Sequence, residues 1–179
     1  MSSKVAERYA KAVLDLAKEQ GKVEVVYKDM QYLINTLRLR DFAAVMASPI
    51  IKSANKIAIV KALLTDRIDI LTLTFLNLVI TKYRAGGLHE IAEAYIEQYN
   101  EIKGIVPVVL TTAIAADDSI IQEVKEVLKK KAGLNNIELS TLTDADLIGG
   151  YTVQYQNKLY DASVRRQLTS LGQSLTDRV

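Results

Sequence analysis

The spacing of apolar residues changes at Gly104, and this change constrains the fold more than any other feature of the sequence. Before Gly104, apolar residues recur every three or four positions, which places them on one face of an α-helix. After Gly104, the run 105–112 is rich in Val, Ile, Leu and Thr, as a β-strand is. The pattern therefore predicts two domains, residues 1–104 and residues 105–179.

The first domain is predicted to be a six-helix bundle. Its periodic segments are separated by short turns that carry helix-ending signals, such as Gly21, Ser48-Pro49 and Gly86-Gly87. Helices joined by short turns pack as a bundle. The predicted helices cover 4–18, 23–39, 42–47, 57–64 and 70–84, with a sixth that starts at Leu88 and ends before Gly104.

The second domain is predicted to be a small α+β unit, in which two helices cover a sheet. Pro107 lacks a backbone N–H, so the strand 105–112 is expected at the sheet edge. A helix from Asp117 or Asp118 to Lys131, a strand at 137–142 and a hairpin at 151–160 follow. Ser163 opens a last helix that carries Val164, Leu168, Leu171 and Leu175. The fold class is mainly α.

Composition argues against catalysis. The chain has no Cys and one His, His89, so sulfur-ligated zinc sites and thiolate nucleophiles are excluded. Asp144, Asp146 and Asp161 have no partner base and are interpreted as turn-forming and capping residues. The glycine pairs 86–87 and 149–150 fit no phosphate-loop spacing and are expected to supply positive φ at a helix end and a strand bend. No cofactor, metal or catalytic residue is predicted.

The charge and hydropathy patterns predict neither nucleic-acid binding nor membrane insertion. The formal net charge is only +2, and the basic run 129–131 closes a predicted helix, where cations are favoured. The most apolar stretch, 70–80, is far shorter than the ~20 residues of a membrane span. A cytoplasmic protein is the expectation.

The first and fifth predicted helices together suggest a binding groove. Helix one carries two apolar lines: one is rich in alanine, and beside it runs a second with Val5, Tyr9, Ala12 and Leu16. Helix five is apolar around most of its circumference. Small and apolar surfaces of this kind can accept the apolar face of a foreign amphipathic helix.

Runs near both ends of the sequence resemble the delta subunit of F-type ATP synthase, the counterpart of the mitochondrial oligomycin-sensitivity-conferring protein. The opening run Arg8–Ala17 is similar to the start of that family. The runs Asp146–Val153 and Leu159–Leu168 resemble its glycine-pair, hairpin and Asp-x-Ser ending, although Ala162 stands where Gly is usual. Phe75–Leu88 resembles its fifth helix and the exit from it, and the resemblance extends over essentially the whole chain.

The resemblance implies a non-catalytic stator subunit. Such a subunit links the catalytic head to the peripheral stalk and resists rotor torque during proton-driven ATP synthesis. It implies that the first domain binds the N-terminal helix of an alpha subunit, and that the second binds the b subunits of the peripheral stalk. It also implies a peripheral position on the cytoplasmic side of the plasma membrane, with the membrane reached only through the complex.

Transferred to this sequence, the resemblance places the alpha-binding groove between helices one and five. Asp at Ala10 or Ile80 is then expected to abolish peptide binding while the protein stays folded. A free-standing helical adaptor, associated with RNA or ribosomes, is the alternative that the residues leave open. The expected groove residues are Ala6, Tyr9, Ala10, Val13, Ala17, Leu76, Val79, Ile80 and Tyr83.

Overall fold

The computed structural model describes residues 4–113, 117–132, 136–155, 158–166 and 168–169. The chain divides into two compact units, Met1–Tyr99 and Asn100–Val179. The division falls within the sixth helix, ahead of the predicted boundary at Gly104. Within the described residues, the secondary structure is mainly helical with one four-stranded sheet, which confirms the mainly α fold class.

Between Lys4 and the first strand, the structure describes six α-helices. Their order and approximate positions follow the predicted periodic segments, and α5 lies against α2 and α4. Alanine on the inner face of α1 permits close helix approach, since Ala6, Ala10 and Ala17 are at most 2% exposed. The helices are α1 Lys4–Glu19, α2 Val23–Leu37, α3 Arg40–Ala47, α4 Ser53–Leu64, α5 Ile70–Thr81 and α6 Leu88–Lys103.

Helices α1 and α5 end in the same way, with a left-handed residue and two backbone hydrogen bonds. At the end of α1, Gly21 (φ 66°) donates to Lys18 O at 3.1 Å, and Lys22 N donates to Ala17 O at 2.8 Å. At the end of α5 the left-handed residue is Tyr83 (φ 58°). This is the Schellman arrangement, in which glycine is the usual left-handed residue.

Positive φ at the end of α5 was expected at Gly86-Gly87, and this expectation was wrong. Those glycines lie in a 3₁₀ turn, Ala85–Gly87, and neither has positive φ. The chain has already reversed at Tyr83, so the glycine pair is not needed for that purpose. At the other pair, Gly150 does have positive φ, at 75°.

The second unit contains a sheet with strand order β2-β1-β3-β4. Strand β1 pairs in parallel with β2 and antiparallel with β3, and β3 and β4 form the predicted hairpin. Helix α7 connects β1 to β2, as parallel pairing requires. The elements are β1 Ile105–Thr112, α7 Asp118–Ala132, β2 Asn136–Thr143, β3 Tyr151–Tyr155 and β4 Lys158–Asp161.

Strand β1 is central in the sheet, so the predicted edge position was wrong. Pro107 is nevertheless tolerated because β3 pairs only with Val108–Thr112, and at Pro107 the strand has β2 as its single neighbour. Proline, which has no N–H to donate, therefore occupies a position where β1 has no partner strand on one side. The side chains of Val108, Leu110 and Val153 pack with Val124 and Leu128 of α7 to form the core of this unit.

Ser163 caps the last helical segment, as predicted. Its Oγ accepts from Arg166 N at 3.2 Å, and helical backbone follows at 164–166 and 168–169. Asp161 Oδ1 accepts from Ser163 N at 2.9 Å, and hydrogen bonds from Ser163 lower the pKa of the Asp161 carboxyl. Leu171 and Leu175 lie outside the described residues.

Candidate partner-binding groove

Seven of the nine predicted groove residues are buried within the chain itself. On α1 these are Ala6, Ala10, Val13 and Ala17, and none is more than 2% exposed. On α5 they are Leu76, Val79 and Ile80, and none is more than 1% exposed.

These faces of α1 and α5 are therefore packed inside the first unit and are not open to a partner in this structure. The alanine-rich line of α1 packs inward because its small side chains allow close helix approach, and the apolar majority of α5 is surrounded by α2 and α4. An Asp at Ala10 or Ile80 would place an unpaired charge in this core. Such a variant is expected to unfold, which corrects the earlier expectation that it would stay folded.

The second apolar line of α1 is the one that faces outward. Val5 is 40% exposed, Leu16 is 43% exposed, Ala12 is also exposed, and Tyr9 is half-buried. These residues recur at intervals of three or four, so they form one continuous stripe along the helix. The sequence already showed this second apolar line on α1, but residue spacing alone could not show which of the two lines is buried.

The outward stripe lines a groove of about 420 Å³. Val5, Arg8, Tyr9 and Ala12 contribute from α1, and Arg84 contributes from the segment after α5. We call these five residues the α1 groove. Tyr9 is the one predicted site residue that lines it.

The left-handed turn at Tyr83 brings Arg84 to this groove. Arg84 N donates to Val79 O at 3.0 Å, and Arg84 O accepts from Gly87 N at 3.0 Å. Both the N–H and the C=O of Arg84 are thus hydrogen-bonded. The position of its side chain depends on how α5 ends and not on a free loop.

Tyr83 itself lies on a different surface. It is 87% exposed and lines a separate cavity of about 600 Å³ with residues of the α3–α4 connection, among them Ile50, which is 89% exposed. Tyr83 is therefore accessible but does not line the α1 groove.

Among the described residues, the structure brings together no constellation typical of catalysis or metal binding. Within that part of the chain, no three His, Asp or Glu side chains cluster as metal ligands. Asp144 accepts from Asp146 N at 3.0 Å, which is the turn-forming role predicted for it. None of the helices described is both long and apolar enough to cross a bilayer.

Comparison with known proteins identifies the family. The profile of the ATP synthase delta (OSCP) subunit family matches residues 5–175. The chain belongs to this family. The ATP synthase subunit delta of Salinibacter ruber is 37% identical over 174 residues, which are 97% of this chain and 91% of that protein. The subunit delta of Synechocystis sp. is 33% identical over 175 residues, which are 97% and 95% of the two chains.

A solved structure agrees on the fold of this delta (OSCP) family member. A chain in the cryo-EM structure of the Toxoplasma gondii mitochondrial ATP synthase hexamer superimposes with a TM-score of 0.75 at 20% identity, and the match covers 97% of this chain and 98% of that one. As a member of the family, the chain is a non-catalytic stator subunit of F-type ATP synthase. Family membership decides against the alternative of a free-standing adaptor.

Proposed function

We propose that the first unit binds the N-terminal helix of an alpha subunit on the outward face of α1, and that its six helices act as one bundle in doing so. The observation that carries this proposal is the exposed apolar stripe on α1, most of which lines the α1 groove. A monomeric surface helix has no need for such a stripe on its outer face. In a family of ATP synthase subunits, an amphipathic helix of another subunit is the natural occupant.

Helix α5 also carries an exposed strip that includes apolar residues. Ile70 is 74% exposed and Leu78 is 50% exposed, and between them lie the exposed Thr74 and the half-buried Leu73. This strip is separate from the buried majority of α5. We infer that it borders the site, so that the partner helix would contact α1 and α5 as the resemblance implies, but through their outer faces.

The mechanical requirement favours this mode of binding. A stator joint must not release under torque, and exposed ion pairs are weak and screened by salt. Burial of apolar side chains against a partner helix stabilises the contact, by about 25 cal/mol for each Å² of apolar surface removed from water. Slow dissociation follows from such a contact.

The decisive experiment compares two aspartates on one helix. Ala12→Asp places the charge on the outer stripe, whereas Ala10→Asp places it in the core, because Ala10 is fully buried. We expect Ala12→Asp to keep the circular dichroism spectrum and to lose binding of a synthetic alpha N-terminal peptide by calorimetry. Ala10→Asp should lower stability by about 3 kcal/mol or more. Unchanged peptide affinity in folded Ala12→Asp would exclude the outer stripe as the site.

We further propose that the second unit holds the C-terminal ends of the b subunits, and that the assembly lies on the cytoplasmic side of the plasma membrane. The chain would then contact the membrane only through the complex. The test is capture of the tagged chain from solubilised membranes, with identification of what elutes. Co-elution of alpha and b subunits supports the proposal. Partners that are lost on nuclease treatment would instead point to nucleic acid.

A further inference from the structure

We propose that Arg8 and Arg84 form a pair of cationic contacts in the α1 groove that select a partner helix carrying carboxylates beside its apolar face. This inference rests on the proposed function, because it concerns the same groove. It adds a chemical requirement that an apolar stripe alone does not impose. The partner must be amphipathic and also acidic along one edge.

The first observation is that the two arginines reach one groove from different parts of the fold. Arg8 lies one turn before Ala12 on α1, and Arg84 follows the left-handed residue that ends α5. The floor between them is apolar, formed by Val5, Tyr9 and Ala12. A helix lying on this floor would pass both guanidinium groups.

The second observation is that the described lining of the groove supplies no negative charge opposite these two arginines. None of the five lining residues is acidic. Among the residues that the structure describes, ion pairs join Lys18 to Asp15 and Lys22 to Asp69, and His89 Nδ1 lies 3.3 Å from Glu93 Oε2; neither groove arginine takes part in these contacts. Both arginines are exposed and available to a ligand.

The third observation concerns the placement of Arg84. Its N–H is held by Val79 O and its C=O by Gly87 N, each at 3.0 Å. Less backbone freedom is lost on binding when a side chain projects from a fixed position. A guanidinium so placed presents paired donors that match the two oxygens of a carboxylate.

Charge complementarity therefore identifies the occupant as an amphipathic helix with Asp or Glu at the edge of its apolar face. A free anion such as phosphate would use the guanidinium groups but would leave the apolar floor exposed to water. A neutral amphipathic helix would cover the floor but would leave both arginines without partners. Only an acidic amphipathic helix satisfies both parts of the groove.

The experiment uses the full chain and a synthetic peptide of the alpha N-terminal helix from the same organism. Arg8→Gln and Arg84→Gln are each expected to weaken binding about fivefold, and the double variant more than tenfold, because partly desolvated Arg–carboxylate contacts are lost. Lys11→Gln and Lys82→Gln are the matched controls, since they remove one exposed positive charge from α1 and one from the end of α5 outside the groove. Both controls should stay within about twofold of the wild type.

Two further measurements separate specific contacts from a general loss of charge. The affinity of the wild-type chain should fall as salt rises, and this dependence should be weaker in the double variant. A peptide whose acidic residues are changed to Gln should bind the wild type less tightly and should lose little more affinity with the double variant.

The outcomes distinguish this inference from the proposed function. If Ala12→Asp abolishes peptide binding but the double arginine variant binds like the wild type, the groove is used and the arginine contacts are rejected. Equal losses for the lysine controls would also reject them, because the effect would then reflect net charge. If the wild-type chain does not bind the peptide at all, both the groove assignment and this inference fail.

Discussion

The ammonium group of Lys56 connects α4 to the end of α3. Lys56 is only 8% exposed, and its Nζ donates to Met46 O and Ser48 O, each at 2.7 Å. These carbonyls belong to the C-terminal end of α3 and have no partner within that helix. A cation is also favoured there by the partial negative charge of the helix end. The lysine thus serves as a cap from another helix.

Replacement of this lysine should be costly. Lys56→Met keeps the length of the side chain but leaves two carbonyls without a donor, so the free energy of unfolding should fall by about 2 kcal/mol. Lys61→Met on the same helix is the control, because Lys61 is exposed and a change of less than about 0.5 kcal/mol is expected there. Urea unfolding followed by circular dichroism measures both. Equal effects of the two substitutions would show that the capping contacts contribute nothing.

Asp69 makes the stability of the first unit depend on pH. Lys22 Nζ contacts both oxygens of the carboxylate, at 3.0 and 2.9 Å, and Leu71 N donates to Oδ1. The hydrogen bond from Lys22, followed by that from Leu71, lowers the pKa of Asp69 below its ordinary value of 3.8. Asp29 Oδ2 accepts from Asp69 N and from Thr72 Oγ1, which ties this corner to α2.

A lowered carboxyl pKa in the folded chain fixes the sign of this dependence. As the pH falls below about 4, the unfolded chain takes up the proton first, so the stabilisation is present above that pH and is lost below it. We predict that Lys22→Met lowers stability at neutral pH and flattens the loss between about pH 5 and pH 3. Urea unfolding at several pH values tests this. Parallel pH curves for the variant and the wild type would contradict the assignment.

At the scale of elements, the glycine pair before β3 controls how this strand meets the chain after β4. Gly150 has positive φ, and a Cβ there would collide with the backbone carbonyl of Ala162 and lie 3.1 Å from Ser163 Cα. A Cβ on Gly149 would meet only the side chain of Val164, at 3.1 Å from Cγ2. The two glycines therefore differ in what surrounds them, although they are neighbours in sequence.

We predict that Gly150→Ala destabilises the second unit by about 3 kcal/mol, from the left-handed conformation together with the backbone collision. Gly149→Ala should cost about 1 kcal/mol or less, because the Val164 side chain can move. Hydrogen exchange of the β1 and β3 amides reports this difference locally. Similar protection in the two variants would mean that the segment after β4 shifts readily to make room.

At the scale of the whole molecule, each unit has its own core, so the two proposed interactions should be separable. Ala12→Asp is predicted to abolish binding of the alpha peptide and to leave capture of the b subunits intact. Gly150→Ala is predicted to abolish capture of the b subunits and to leave binding of the alpha peptide intact, because substitutions in separate cores that share no partners act independently. Capture of each variant on immobilised alpha peptide and on b subunits measures both properties. Loss of both interactions in either variant would show that the units depend on each other for binding.

Much of the secondary structure followed from the sequence because it depends on local spacing. The period of three and four residues located α1 to α6, the change at Gly104 located the first strand, and Ser163 marked the last helical segment. The hairpin of β3 and β4 was also predicted. These features are set by residues close together in the chain, so a single sequence is sufficient to recognise them.

The sequence alone could not show which face of each helix or strand packs against the rest of the protein. Two apolar lines run along α1, and only packing against the other helices shows that the one with Ala10 is buried and the one with Ala12 is open. Likewise, Pro107 suggested an edge strand, but the short β3 leaves that position unpaired within a central strand. Periodicity defines the faces of a helix or strand. The tertiary structure assigns those faces, because burial depends on contacts between residues far apart in sequence.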